Sequence, residues 1–231
     1  MADLSFSGEF MIPGSTPQRI EDDHVERYKW SQRFAHGCSV VDIACGAGYG
    51  SALLAQAGAT SVTGVDLSEE ALSVARSRYA TPRTAFEQGD ITSWGAADCC
   101  DLVTSFETIE HLADTEGALS NLHRILKPGG ILLISSPNRP VTSPTAHTID
   151  SAPSNQFHVK EFTPRELRDS LRVAGFSVDR AAFGQRLQPP MPKRVQRHFA
   201  RTVRPHERLS PRLRPLRLRQ PRYFVLVGRK P

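Results

Sequence analysis

Cysteine is scarce and wrongly spaced for covalent or metal staples: four occur, at 38, 45, 99 and 100, with one vicinal pair and no CxxC. That excludes a disulfide framework and a thiolate zinc site, and it reads as reduced thiols of a cytoplasmic protein. No window holds the roughly eighteen uncharged apolar residues of a membrane span. The opening MADLSFSGEF has neither the basic start nor the apolar core of a secretory signal, so neither export nor membrane insertion is expected. Internal repeats are absent as well. What is present is enough for a sizeable core: 231 residues, 39% hydrophobic, with 16 glycines and 17 prolines to punctuate the elements. One compact domain is expected over 38–231, preceded by a helical cap at 1–37 and interrupted by insertions at about 136–162 and 186–221.

Acid is nearly absent from one stretch. Residues 191–222 hold eleven Lys and Arg against the single acid Glu207, so this stretch carries +10 and the rest of the chain −5. A proline-broken basic run can bind a polyanion or stand as a solvated loop. No RNA-recognition aromatics are interleaved with it, so nucleic acid is the less favoured partner.

From Ser39 onward short apolar β-type runs alternate with helical patterns, the signature of an α/β sheet with crossover helices. The expected strands are Ser39–Ala44, Ser61–Asp66, Thr84–Gln88, Cys100–Phe106, Ile131–Ser135, Phe176–Ala182 and Tyr223–Gly228. Ser68 reads as an N-cap ahead of the stripe Ala71, Leu72, Ala75. A second helix carries Leu119, Leu122, Ile125 and Leu126 and stops at Lys127-Pro128-Gly129-Gly130. Thr163-Pro164-Arg165-Glu166 sets an N-cap, a first-turn proline and a capping-box glutamate ahead of a helix over 164–174. Ile20 to Phe34 is a further helix candidate. No crossover helix separates the last two strands, so five parallel strands with an antiparallel end, helices on both faces, is the expected architecture.

Asp42-Ile43-Ala44-Cys45-Gly46-Ala47-Gly48-Tyr49-Gly50 runs from a strand into a glycine-rich turn, and glycines let backbone approach a ligand closely. Eighteen residues after Gly48, Asp66 ends the next strand, where a carboxylate can accept both hydrogen bonds of a ribose diol. Asp90 ends the third. Three consecutive strand ends thus offer polar groups at the carboxyl edge of the sheet, where open α/β sheets bind ligands. GAGYG is not GxGxxG, so a nicotinamide site fits less well.

In these segments the sequence resembles the class I S-adenosylmethionine-dependent methyltransferases. DIACGAGYG is similar to their first motif, GVDLS to the ribose motif, QGDIT to the adenine motif, CDLVTSFETIEHL to the fourth-strand motif and LKPGGILLISSPN to the turn and fifth strand. The resemblance implies a Rossmann-like methyltransferase sheet and S-adenosylmethionine as cofactor. It implies that Asp42, Gly46 and Gly48 hold the methionine part, Asp66 the ribose, and Asp90 with Ile91 the adenine edge. Ala44, Leu67 and Phe106 complete the expected cofactor contacts.

After the fourth strand comes Glu107-Thr108-Ile109-Glu110-His111. If this is helical, positions 107, 110 and 111 share one face. With the later His158-Val159-Lys160-Glu161-Phe162-Thr163, the pattern is similar to the metal site of small-RNA 3′-terminal 2′-O-methyltransferases. That resemblance implies Glu107, Glu110, His111 and His158 as ligands of a divalent ion, Mg2+ or Mn2+. His111, His158 and Glu107 are the catalytic candidates, and a surface position is expected for His24. The chain is also similar to bacterial methyltransferases acting on sugars or secondary metabolites, so a small-molecule hydroxyl is the expected acceptor, an amine the less favoured one. An RNA 3′ end, or cofactor binding without catalysis, are the alternatives.

Overall fold

The β-branched and apolar runs form strands because their side chains alternate between two faces that are both covered. In the computed structural model, which describes residues 16–178, 183–185 and 220–231, the strands are β1 (Ser39–Ile43), β2 (Ser61–Asp66), β3 (Thr84–Gln88), β4 (Cys100–Ser105), β5 (Leu126–Pro137), β6 (Ser177–Val178), β7 (Phe183–Gln185) and β8 (Tyr223–Arg229). The helices are α1 (Gln18–Ser31), α2 (Tyr49–Gln56), α3 (Glu69–Tyr79), α4 (Thr115–Ile125), α5 (Arg139–Thr142) and α6 (Pro164–Val173). The sheet order is β3-β2-β1-β4-β5-β8-β6, with β7 also on β8. β1 to β5 are mutually parallel, and β8 runs antiparallel to all three of its partners, β5, β6 and β7. This is the expected sheet.

Adjacent residues of one strand feed opposite cores. Val41, Val103 and Ile134 face α4 and α6, where Leu119, Leu122, Leu167 and Leu171 are buried. Val40, Leu102 and Leu133 face the other way, onto Tyr28 and Leu54 of α1 and α2. Each such leucine contributes about 1.5–3 kcal/mol by leaving water. Ser68 caps α3 by accepting the Ala71 N–H, and the Thr163/Glu166 capping box of α6 forms in both directions.

Several boundaries differ from the sequence reading. Ala44 has left β1, with φ at +58°. β4 stops at Ser105, one residue short of Phe106, because Glu107 also takes a positive φ. α4 ends at Ile125, and Leu126 already belongs to a β5 longer than Ile131–Ser135, which carries Lys127-Pro128-Gly129-Gly130 as an irregularity in its pairing with β4. The strand expected over Phe176–Ala182 is seen at Ser177–Val178, and 179–182 lie outside the described residues. The segment 136–162 begins inside β5, forms α5, and bridges Asn138 to Phe162. The basic stretch lies outside the described residues as far as position 219.

Candidate active site

The order reverses between β1 and β4, which places a crevice at their carboxyl ends. The glycine turn sits on one side of it. Gly46 and Gly48 both have positive φ, and a Cβ on Gly48 would stand 2.6 Å from Ala75 Cβ and 2.8 Å from the Phe86 ring. Glycine is therefore demanded twice at 48, by dihedral and by space. Asp66 ties this turn to β2: its Oδ2 accepts the Gly46 N–H at 2.8 Å and its Oδ1 the Ser68 N–H at 2.9 Å. Leu67 beside it is 60% exposed, an uncovered apolar side chain at the crevice rim. Asp90 is exposed and accepts the Thr92 N–H and hydroxyl, which hold its carboxyl below the usual range, while Ile91 is buried.

Asp42 is placed beneath the turn. It is fully buried, and three hydroxyls fill its oxygens: Tyr28 at 2.9 Å and Thr104 at 2.6 Å on Oδ1, Ser51 at 2.7 Å on Oδ2. Burial pushes its pKa up to about 6 against the opposing pull of those hydrogen bonds. The carboxylate thus fastens α1, α2 and β4 to β1, and its three donors were not picked out from the sequence. The available signal was register: Thr104, polar in an apolar strand, lies opposite Asp42. Phe106 is buried edge-on against Tyr28, with ring centroids 5.1 Å apart.

α1 covers this region. His24 is not at the surface as expected: it is half-buried, its Nδ1 lies 3.2 Å from the Tyr49 hydroxyl, and burial together with the Arg27 charge drives its pKa well below the ordinary value. Arg27 is 1% exposed, donates to Gln185 at 2.6 Å, and packs over the Tyr223 ring.

Past β4 the expected helical face does not form. Only Ile109–His111 make a single 3-10 turn, and the positive φ of Glu107, +52°, turns its side chain elsewhere. Ser135 Oγ donates to the Glu107 carboxylate at 2.7 Å and accepts the Glu107 N–H at 2.9 Å. Glu107 therefore drops out of the four-ligand set. Glu110, His111 and His158 do converge, each offering a ligand atom within 4.8 Å of the others. Glu110 is buried with Oε2 lacking a hydrogen-bond partner among the described residues, and burial plus the Glu107 charge push its pKa well up. The two imidazoles stand edge to face, 4.9 Å between centroids. His111 Nδ1 meets the Phe157 carbonyl at 2.8 Å, so the proton is on Nδ1. His158 Nδ1 meets Glu161 at 2.6 Å.

Comparison with known proteins agrees with this geometry. Residues 41–134 match the family described as a methyltransferase domain. A probable S-adenosylmethionine-dependent methyltransferase of Mycolicibacterium smegmatis is 37% identical over 180 residues, 76% of this chain and 66% of that one. This chain is a class I S-adenosylmethionine-dependent methyltransferase family member. A ubiquinone biosynthesis O-methyltransferase of Pseudomonas aeruginosa is 39% identical over 126 residues, 52% of this chain and 54% of its own length. Among solved structures, a chain of the complex between the Haloferax volcanii Trm112 methyltransferase activator and a methyltransferase superposes with a TM-score of 0.67 at 26% identity, covering 93% of each. The chain spans just under two thirds of the mycobacterial relative and about half of the Pseudomonas one. None of the described helices is long and apolar enough to cross a membrane.

Within the family's crevice, the residues present fit the cofactor. Asp66 keeps lone pairs beyond the two it gives to Gly46 and Ser68, Leu67 offers an uncovered apolar side chain, and Asp90 stands at the next strand end. A divalent ion fits a smaller donor set than expected. Glu110, with an orphaned buried oxygen whose charge is disfavoured without a cation, and two imidazoles protonated on Nδ1 are a chemically apt trio.

Proposed function

We propose that this chain transfers the methyl group of S-adenosylmethionine to a hydroxyl of a small molecule, in the range of sugars and secondary metabolites. Bound S-adenosylmethionine would supply a sulfonium methyl open to in-line attack. Asp66 would hold the ribose, Leu67, Asp90 and Ile91 the adenine, and Ala44, Gly46 and Gly48 the methionine part. The observation that carries the hydroxyl reading is the pair His158–Glu161 beside Glu110 and His111. A hydroxyl must give up its proton to become a nucleophile, and a neutral imidazole held by a carboxylate is a base suited to that task. The Pseudomonas relative, named an O-methyltransferase, points the same way. As the alternative to a histidine base, Glu110, His111 and His158 would be the residues to hold Mg2+ or Mn2+, the His158 Nε2 lone pair then binding the ion instead of taking the proton, and the ion would polarise the acceptor oxygen.

Transfer of isotope-labelled methyl groups should be measured over a panel of sugars, phenols, amines and an RNA oligonucleotide with a free 3′ end. Labelled sugar or phenol is the expected product; transfer to RNA alone would overturn the small-molecule reading. His158→Ala should lower turnover about 10²- to 10⁴-fold, the range for a lost general acid–base group, with cofactor affinity unchanged. Exhaustive EDTA treatment tests the ion: loss of turnover restored by Mn2+ supports it, and intact turnover with no ion by elemental analysis leaves His158 as a base alone.

A further inference from the structure

We propose that Glu161 is a positioning residue: it fixes His158 in the tautomer whose proton is on Nδ1, so that the Nε2 lone pair faces the acceptor. The inference rests on the reading that His158 works through Nε2, and it deepens that reading by stating what the Glu161 carboxylate does to the ring.

The tautomer follows from the neighbours. Asn155 Oδ1 accepts the Phe157 N–H at 3.1 Å, which fixes the orientation of that amide. Its Nδ2, a donor only, therefore faces His158 Nε2 at 2.8 Å. Nε2 must accept there, so in the neutral ring the one N–H is on Nδ1, where Glu161 Oε1 receives it at 2.6 Å. Asn155 thereby occupies the lone pair until an acceptor hydroxyl replaces it. Glu161 is itself immobilised: its side chain is 1% exposed and its Oε2 accepts the Thr142 hydroxyl of α5. The neighbouring Phe162 is buried in the core next to the capped start of α6, which holds the loop end of this arrangement on a rigid element. A carboxylate fixed behind a histidine in this way sets ring orientation and raises basicity at the far nitrogen.

Two-bond 1H–15N correlation of imidazole resonances in the full chain reads the tautomer directly. The wild type should show His158 protonated on Nδ1; an Nε2-protonated ring would overturn the proposal, and this measurement needs no variant. Glu161→Ala should populate the Nε2–H form and lower turnover about 10- to 100-fold, the cost usual for removing such a partner, while cofactor KM stays constant. Glu161→Gln keeps an amide oxygen able to accept from Nδ1 and should restore the tautomer and part of the turnover. Glu161→Ala with the Nδ1–H form and full turnover intact would also overturn the proposal. His158→Ala at wild-type turnover would instead sink the reading of His158 as the working histidine, whatever the tautomer shows.

Discussion

A carboxylate shut away from water needs its lone pairs filled, and at Asp42 three hydroxyls from three elements fill them. Tyr28→Phe removes one donor and leaves Thr104 alone on Oδ1. The variant should lose about 1–3 kcal/mol of stability, the cost of an unmet buried hydrogen bond, read from urea denaturation; a loss below experimental error would mean that Tyr28 does not hold α1 to the sheet. Gly48 makes a sharper case. At φ +81°, with a Cβ 2.6 Å from Ala75 Cβ, alanine is strained by its backbone and by a contact that cannot yield without moving α3. Gly48→Ala should therefore destabilise the fold and weaken cofactor binding together, which calorimetry and thermal denaturation would show; unchanged affinity would detach the turn from the cofactor. These residues differ in legibility. Glycine in a turn after a strand announces itself, whereas Asp42 in sequence is indistinguishable from a ligand-facing acid, because burial is decided by α1, which lies fourteen residues away in sequence at Tyr28.

Elements were legible where local signals agree. β2 and β3 occupy the expected spans, and the α6 start follows from its four-residue signature. Thr163 accepts the Glu166 N–H while Glu166 receives the Thr163 N–H. Thr163→Ala should cost about 1 kcal/mol, typical for an N-cap, visible as a lower urea midpoint with an unchanged slope; no shift would show that tertiary packing alone starts the helix. The turn after β4 was misread for an instructive reason. Spacing at 107, 110 and 111 matches one helical face, but spacing carries meaning only if the backbone is helical. Glu107 sits at φ +52°, a conformation its residue type does not announce, and one 3-10 turn is too short to align three side chains. Three of the four expected donors still meet, because the loop carrying His158 is tied back by Val159 and Lys160 N–H groups donating to the Glu110 carbonyl. Periodicity and spacing do not encode that closure, which depends on two segments about fifty residues apart; only the resemblance of the two motifs taken together pointed to it.

Across the whole molecule, acid should act through opposed carboxylates. Asp101, at the start of β4, accepts the Ser39 N–H and hydroxyl of β1 and the Lys127 ammonium of β5. Hydrogen bonds from Ser39 and Lys127 outweigh burial and bring its pKa down to about 2. Its folded value lies below the unfolded one, so the stability it contributes is complete above about pH 4 and is lost as pH falls toward 2. Asp23 and Asp42 have the opposite sign. Burial raises both to about 6, so the folded state takes up protons first and their effect is to favour folding as pH falls from 6 toward 4. Urea midpoints taken from pH 7 down to pH 2 should separate the two groups. Asp101→Asn should flatten the decline below pH 4 and leave the profile between 4 and 6 unaltered, since Asp23 and Asp42 are untouched. Because Asp101 and Lys127 are both partly exposed, added salt should shrink the difference between the wild type and the variant. Curves that run parallel from pH 7 to pH 2 would show that the three-strand clasp at the amino edge of the sheet contributes nothing specific to its acid resistance.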